Sequence, residues 1–222
     1  MPSMILTCSS LKEYVDAAQK EMNTEHPVTV IDRIYHAEPD KMKEVIRSEI
    51  SNLPTSYDTI LVSMGFCGGT WDHVSFDRRV VIPRVDDCIS LLLHTDDEYR
   101  PNRKEPGHLY LYESDPEEFS ALKIMEGSEC ESDLLRNVNQ EDLYHYWFDQ
   151  YHTMDIIDTG LNRCYEVDYV EKAQEHADKI NADLGYVEGG YLLLKKLVSG
   201  KWDEQFIVAE PGTVIKHGDF FS

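Results

Sequence analysis

Ile60-Leu61-Val62-Ser63-Met64-Gly65-Phe66-Cys67-Gly68-Gly69-Thr70-Trp71-Asp72-His73, followed after a short turn by Val80-Val81-Ile82-Pro83-Arg84-Val85-Asp86-Asp87-Cys88-Ile89-Ser90-Leu91, is the stretch that decides the fold. Two apolar, β-branched runs each stop abruptly at residues that are polar, acidic or glycine-rich, and each stop carries a cysteine. A short continuous apolar run bounded in this way reads as a strand buried on both faces. Gly-Phe-Cys-Gly-Gly at its carboxyl end calls for close backbone approach to something. In open α/β sheets that edge is where ligands bind.

The same rhythm extends in both directions. Met4 to Thr7 is a short apolar run ending at Cys8-Ser9-Ser10, and Leu11, Tyr14, Val15 and Ala18 then recur at helical spacing behind a serine cap. After His26-Pro27 the run from Val28 to Tyr35 predicts a second strand ending at His36. Pro39-Asp40 opens a helix with Met42, Val45, Ile46, Ile50 and Leu53 on one face. Asp86-Asp87 supply caps for a helix carrying Cys88, Leu91 and Leu92. Strand alternating with helix at these lengths predicts an α/β, Rossmann-like, largely parallel sheet. That fold class brings Cys8, His36, Cys67 and Cys88 to the carboxyl ends of successive strands, a convergence that the linear spacing does not advertise.

Beyond residue 93 the rhythm is interrupted and then resumes. His108 to Tyr112 alternates as an edge strand. From Asp115-Pro116 to about Tyr151 the chain is acidic and helical in pattern. Met154 to Asp158 is a further strand, followed by a helix through Tyr169, Val170, Ala173, Ala177 and Ile180, a strand at Gly185 to Glu188, a helix at Tyr191 to Leu197 and a last strand at Phe206 to Glu210. The expected organisation is a first α/β half over 1–112, a helical insertion over 113–152 and a second α/β half over 153–222. The two halves are candidate pseudo-repeats, and one continuous domain is the alternative.

Net charge is -21, from 42 acidic against 21 basic residues. Such an excess repels phosphate backbones and anionic membrane surfaces, which argues against nucleic-acid and membrane partners. No apolar run approaches the length of a membrane span, and the first residues lack the basic and apolar regions of a secretory signal. A cytoplasmic protein is expected. The five cysteines are an odd number with no tight spacing, so reduced thiols are expected in place of a disulfide framework.

Taken together, Gly65-Phe66-Cys67-Gly68-Gly69, Val81 to Ile89, Leu197-Val198-Ser199-Gly200-Lys201-Trp202-Asp203 and Val208-Ala209-Glu210-Pro211-Gly212 resemble the domain-of-unknown-function family sixteen-thirty-eight. Cys8 and His36 match that pattern too. The resemblance spans nearly the whole chain, though Tyr112-Glu113-Ser114-Asp115 stands where the pattern carries a Gly-Trp pair. It implies a setting, not an activity: members occur mostly in anaerobic bacteria and methanogens, often beside genes for corrinoid-dependent methyl transfer.

Cys8, Cys67 and Cys88, with His36 as a fourth member, form the first candidate site. Thiolates and an imidazole suit Zn²⁺, and three cysteines also suit an iron–sulfur cluster. A buried free cysteine is equally a common small core hydrophobe, and that reading competes for each thiol taken singly. Asp87 is a candidate proton acceptor or orienting carboxylate, although a helix cap explains one aspartate without any chemistry. His73 is a candidate acid. Trp71 is a candidate lid over the crevice, against the alternative of an aromatic tucked back onto the sheet. Gly68 and Gly69, with Trp71 and Arg84, are candidate cofactor contacts, but the chain has neither G-x-G-x-x-G nor a P-loop. Cys130 lies among acidic residues that oppose its ionisation, and Cys164 is left outside the ligand set.

These residues and the resemblance lead to one expectation and one competitor. The expectation is a zinc-binding α/β protein that assists or performs thiol or methyl-group chemistry in corrinoid-linked one-carbon metabolism, with a small-molecule substrate or a corrinoid protein as partner. The competitor is a non-catalytic module that binds a corrinoid, tetrapyrrole or small metabolite. The aromatic insertion is a candidate homodimer contact.

Overall fold

Ile5, Leu6, Ile60, Val62, Val80, Val81 and Ile82 are wholly buried, and burial of each such side chain contributes about 1.5–3 kcal/mol relative to exposure. Residues apolar on both sides of a strand demand cover on both faces, which a parallel sheet flanked by helices provides. The computed structural model describes residues 2–119, 121 and 146–222 and has that architecture.

Five strands form the first sheet: β1 (Ser3–Cys8), β2 (Val28–Ile31), β3 (Thr59–Val62), β4 (Arg79–Pro83) and β8 (Phe206–Ala209), in the order β2-β1-β3-β4-β8. The β1–β2, β1–β3 and β3–β4 pairs are parallel, whereas β8 runs antiparallel to β4. A second sheet is parallel throughout, with β6 (Thr153–Asp158) between β5 (His108–Leu111) and β7 (Asp183–Glu188). The largely parallel, Rossmann-like reading of the sequence is therefore correct.

The helices follow from local signals. In α1 (Lys12–Met22), Tyr14, Val15 and Ala18 are buried, and the helix ends on Asn23 at φ 54°, a left-handed cap. Pro39 occupies the first turn of α2 (Pro39–Asn52), whose buried residues Met42, Ile46 and Ile50 make a single stripe. Helix α3 (Cys88–Leu92) is short and capped by Asp87. Helix α4 (Val167–Lys179) buries Tyr169, Ala173 and Ala177 against Leu111, Met154 and Ile156 of the second sheet. Helix α5 (Leu192–Ser199) packs on α1 and stops at Gly200, φ 76°. Helix α6 spans His217–Phe221. Among the described residues no helix is long and apolar enough to cross a membrane.

The chain divides into two units, Met1–Arg103 with Tyr191–Ser222, and Lys104–Gly190. This differs from the division expected at 112 and 152. Helix α5 and β8 belong with the first sheet, because β8 continues it through the Val80–Ala209 to Pro83–Phe206 register. Sequence order grouped them with residues 153–190, but antiparallel pairing needs no crossover helix and lets a late strand complete an early sheet. Most of the expected helical insertion lies outside the described residues. At its start, Asp115 caps a single 3₁₀ turn at Pro116–Glu118.

Two smaller departures affect the site. Strand β2 ends at Ile31, not at His36; the Asp32 carboxylate accepts the Ile34 N–H and starts a 3₁₀ turn over Arg33–Ala37. Strand β3 ends at Val62, after which Gly65 passes directly beneath the following loop. A Cβ on Gly65 would lie 2.7 Å from the Val85 carbonyl oxygen and 2.8 Å from the Asp87 nitrogen. Both neighbours are backbone, so neither can rotate away. Gly65→Ala is expected to lower stability by about 1–3 kcal/mol, the usual cost of overpacking, read as a fall in the urea unfolding midpoint. A midpoint unchanged from the parent protein would mean that these two loops are not packed as described.

Candidate metal centre

The strand order places the switch point of the first sheet between β1 and β3, whose connections lead to opposite sides, to β2 and to β4, and ligands of such sheets sit there. Cys8 is the last residue of β1. The other three candidates each lie five positions past the end of a strand: His36 after Ile31, Cys67 after Val62 and Cys88 after Pro83. That offset brings three separate segments to the edge at which Cys8 ends β1.

Ligand atoms of His36, Cys67 and Cys88 lie within 4.8 Å of one another. Cys8 joins them through His36, whose Nε2 is 3.3 Å from the Cys8 Sγ, and Ser10 Oγ lies 3.2 Å from the same sulfur. The hydrogen-bond contacts close a ring: Cys8 to Cys88, Cys88 to Cys67, Cys67 to His36 and His36 back to Cys8. All three thiols are buried, at 0%, 7% and 5% exposure for Cys8, Cys67 and Cys88, while the histidine is half-buried.

Without a cation the ring shares out its protons. The Cys88 thiol donates to Cys8, and although burial opposes ionisation, contacts with His36 and Ser10 add to hold Cys8 well below the usual thiol range. Cys67 is brought down to about 6 by the Cys88 thiol first, against burial, and then by His36. Burial alone would lower His36, but the Cys67 and Cys8 thiolates outweigh it and push it up to about 11. Cys88 moves the other way, because it donates to Cys67 and Cys8 and is itself buried. Such closely packed thiolates repel one another, and a cation relieves that repulsion.

The local backbone is built for this contact. Cys67 has φ 47° and Gly68 and Gly69 have φ 68° and 103°, three consecutive residues on the positive side. A left-handed cysteine is unfavourable by about 1–3 kcal/mol, the usual range for such strain. It is held there by the Phe66 N–H to the Val85 carbonyl and the Cys67 N–H to the Asp86 carbonyl, both 2.8 Å. The two glycines thus shape the turn that presents Cys67.

The remaining candidates are placed elsewhere. Asp87 caps α3 by accepting the Ser90 N–H at 2.8 Å, and its charge opposes ionisation of Cys67. His73 is 77% exposed at its side chain, 3.6 Å from Asp72, and is not one of the grouped donors. Trp71 is wholly buried with its ring against Phe76, so it is part of the core and not a lid. Its size drives it inward once the preceding glycines turn the chain back. Arg84 is a latch: its guanidinium donates to the carbonyls of Asp219 (2.8 Å), Glu204 (2.9 Å) and Ser222 (2.5 Å) and lies 4.1 Å over the Tyr99 ring. Cys164 is buried in the core of the second unit.

Two supports have little signal in the sequence. The pattern offers Ser9 or Ser10 as a helix cap, whereas Ser10 contacts the Cys8 sulfur. Phe66, next to Cys67, packs against His217 (5.1 Å), Phe220 (5.1 Å) and Phe221 (5.4 Å) of α6. The adjacent Phe220-Phe221 pair was the available signal that this last helix has something to cover.

A family model matches residues 30–198 and describes a protein of unknown function (DUF1638). The chain belongs to that family. The matched residues include His36, Cys67 and Cys88, while Cys8 precedes them. No curated protein and no solved structure matches the chain.

The latch separates Arg84 from ligand binding in a measurable way. Arg84→Ala is expected to cost about 1–3 kcal/mol of unfolding free energy, through loss of charge-assisted hydrogen bonds, with metal content unchanged. Arg84→Lys recovers only part, since an ammonium cannot reproduce the planar fork. Loss of bound metal or cofactor at unchanged stability would restore a binding role.

Proposed function

We propose that this DUF1638 protein binds zinc through Cys8, His36, Cys67 and Cys88. The observation that carries the reading is the closed ring of three thiols and one imidazole at the carboxyl edge of a parallel sheet. The donor set fits. Soft thiolate ligands with an imidazole select zinc over hard cations, which prefer oxygen, and Cys₃His is a recurrent zinc set. An iron–sulfur core keeps its protein ligands apart by the width of the cluster, whereas the donor atoms of His36, Cys67 and Cys88 lie within 4.8 Å of one another, with the Cys8 sulfur against His36. Bound there, zinc supplies charge to keep sulfur ligands as thiolates.

The chain's own residues do the rest. Ser10 steadies the Cys8 sulfur, Asp87 fixes the turn that carries Cys88, and the positive-φ turn presents Cys67. In a reducing compartment, where free thiols persist, this centre would serve thiol or methyl-group chemistry, and we read that chemistry as a step of corrinoid-linked one-carbon metabolism, a reading supported by the resemblance of the sequence alone. An overall acidic chain supports a small-molecule or protein partner over nucleic acid.

Anaerobically purified protein is expected to carry about one zinc per chain, and Cys67→Ala and Cys88→Ala are expected to lose most of it. Chelation of the parent protein is expected to lower its melting temperature, because a ligand of the folded state alone stabilises it. Zinc-free preparations, or full occupancy in both variants, would overturn the proposal.

A further inference from the structure

The four donors are not held alike. Cys8 ends a central strand, hydrogen-bonded to β2 and β3 on either side, and is wholly buried. Cys67 is fixed by its own N–H bond to the Asp86 carbonyl, and Cys88 stands in the first turn of a helix whose cap is made. His36 lies on a five-residue 3₁₀ turn, Arg33–Ala37, started by the Asp32 carboxylate, and Cys67 opens a shorter one, Cys67–Gly69. The His36 ring touches only the thiols of Cys8 and Cys67; among the described residues no carboxylate or carbonyl holds its second nitrogen. A ligating imidazole is ordinarily oriented by such a partner, and loss of that partner typically weakens metal binding 10- to 100-fold. His36 is also the one donor open to solvent beyond the buried range.

The charge on the site selects what can replace it. Three thiolates already over-neutralise a divalent cation, so a bound water there is a poor acid and a second-row oxygen anion is a poor ligand. Asp86 and Asp87, next to Cys88 in sequence, add negative charge on that side. A thiol is favoured over both water and an oxygen anion because its sulfur is soft and, with an ordinary pKa of about 8.5, it gives up its proton far more readily than water does.

Resting on the zinc reading above, we propose that His36 is the exchangeable ligand of this centre and that the substrate is a thiol whose sulfur takes its place. The bond between metal and His36 Nε2 breaks, a bond between metal and substrate sulfur forms, and the thiol proton leaves to solvent. The three cysteines stay. The substrate is thereby held as a thiolate beside the turn that carries the one half-buried donor.

The test uses full-length protein loaded with Co²⁺, which reports thiolate ligation by its charge-transfer absorption, and 2-mercaptoethanol as the probe thiol. Titration is expected to raise the charge-transfer intensity by about one third as three thiolates become four, with Co²⁺ still bound. His36→Gly is expected to retain Co²⁺ and to reach the same spectrum at several-fold lower thiol, and added imidazole to restore the parent requirement. A parent spectrum unmoved by thiol, with metal bound and Cys67→Ala metal-free, overturns the exchange while leaving the zinc site intact. A lowered thiol requirement in Cys8→Ala but not in His36→Gly assigns the exchange to Cys8 and equally overturns it. Failure of Co²⁺ to bind the parent protein overturns both readings together.

Discussion

Two backbone hydrogen bonds, from the Phe66 N–H to the Val85 carbonyl and from the Cys67 N–H to the Asp86 carbonyl, bind the loop after β3 to the loop after β4. Almost everything at the candidate centre depends on that joint. It sets Cys67 and Cys88 side by side, holds Cys67 in a left-handed conformation it would otherwise leave, and forces residue 65 to lack a side chain. Because partner groups in the joint are backbone, its geometry is independent of rotamers. The thiol spacing is therefore fixed before any cation arrives, which reduces the ordering that binding must otherwise impose.

The rest of the first unit supports the joint from outside. Phe66 is packed by the aromatic residues of α6, and α6 is in turn tied down by Arg84 and by the Tyr99 hydroxyl, which donates to the Phe220 carbonyl. Arg84 sits between the strand β4 and Val85, so the guanidinium that anchors the last helix grows from the same loop that holds Cys67. The sheet supplies Cys8 from a strand end and the 3₁₀ turn that starts at Asp32 supplies His36.

Much of this was legible in the residues. Apolar runs at Met4–Thr7, Ile60–Val62 and Val80–Ile82 could only be strands covered on both sides, and helical stripes between them required a parallel sheet. Once that was granted, the positions of Cys8, His36, Cys67 and Cys88 at one edge followed from topology. Cys130, in an acidic run, could be set aside on charge. The boundaries were less legible: β2 reads as continuing to Tyr35 because Ile34 and Tyr35 have strand-like side chains, but the Asp32 carboxylate captures the Ile34 N–H and turns the chain four residues early. A local side chain–backbone bond outweighed β propensity there.

Sequence by itself determined the fold class and the set of candidate sulfur and imidazole donors, because hydrophobic period and strand-end position are properties of the chain taken a few residues at a time. Tertiary structure alone decided which residues are neighbours across long separations. It assigned β8 to β4 in place of the later half, put Trp71 in the core and turned Arg84 towards the last helix. These choices rest on pairing and packing between segments up to 138 residues apart, and no local pattern encodes them. The Ile60–Cys88 stretch therefore names the two thiols at the heart of the centre, and the fold decides that they meet.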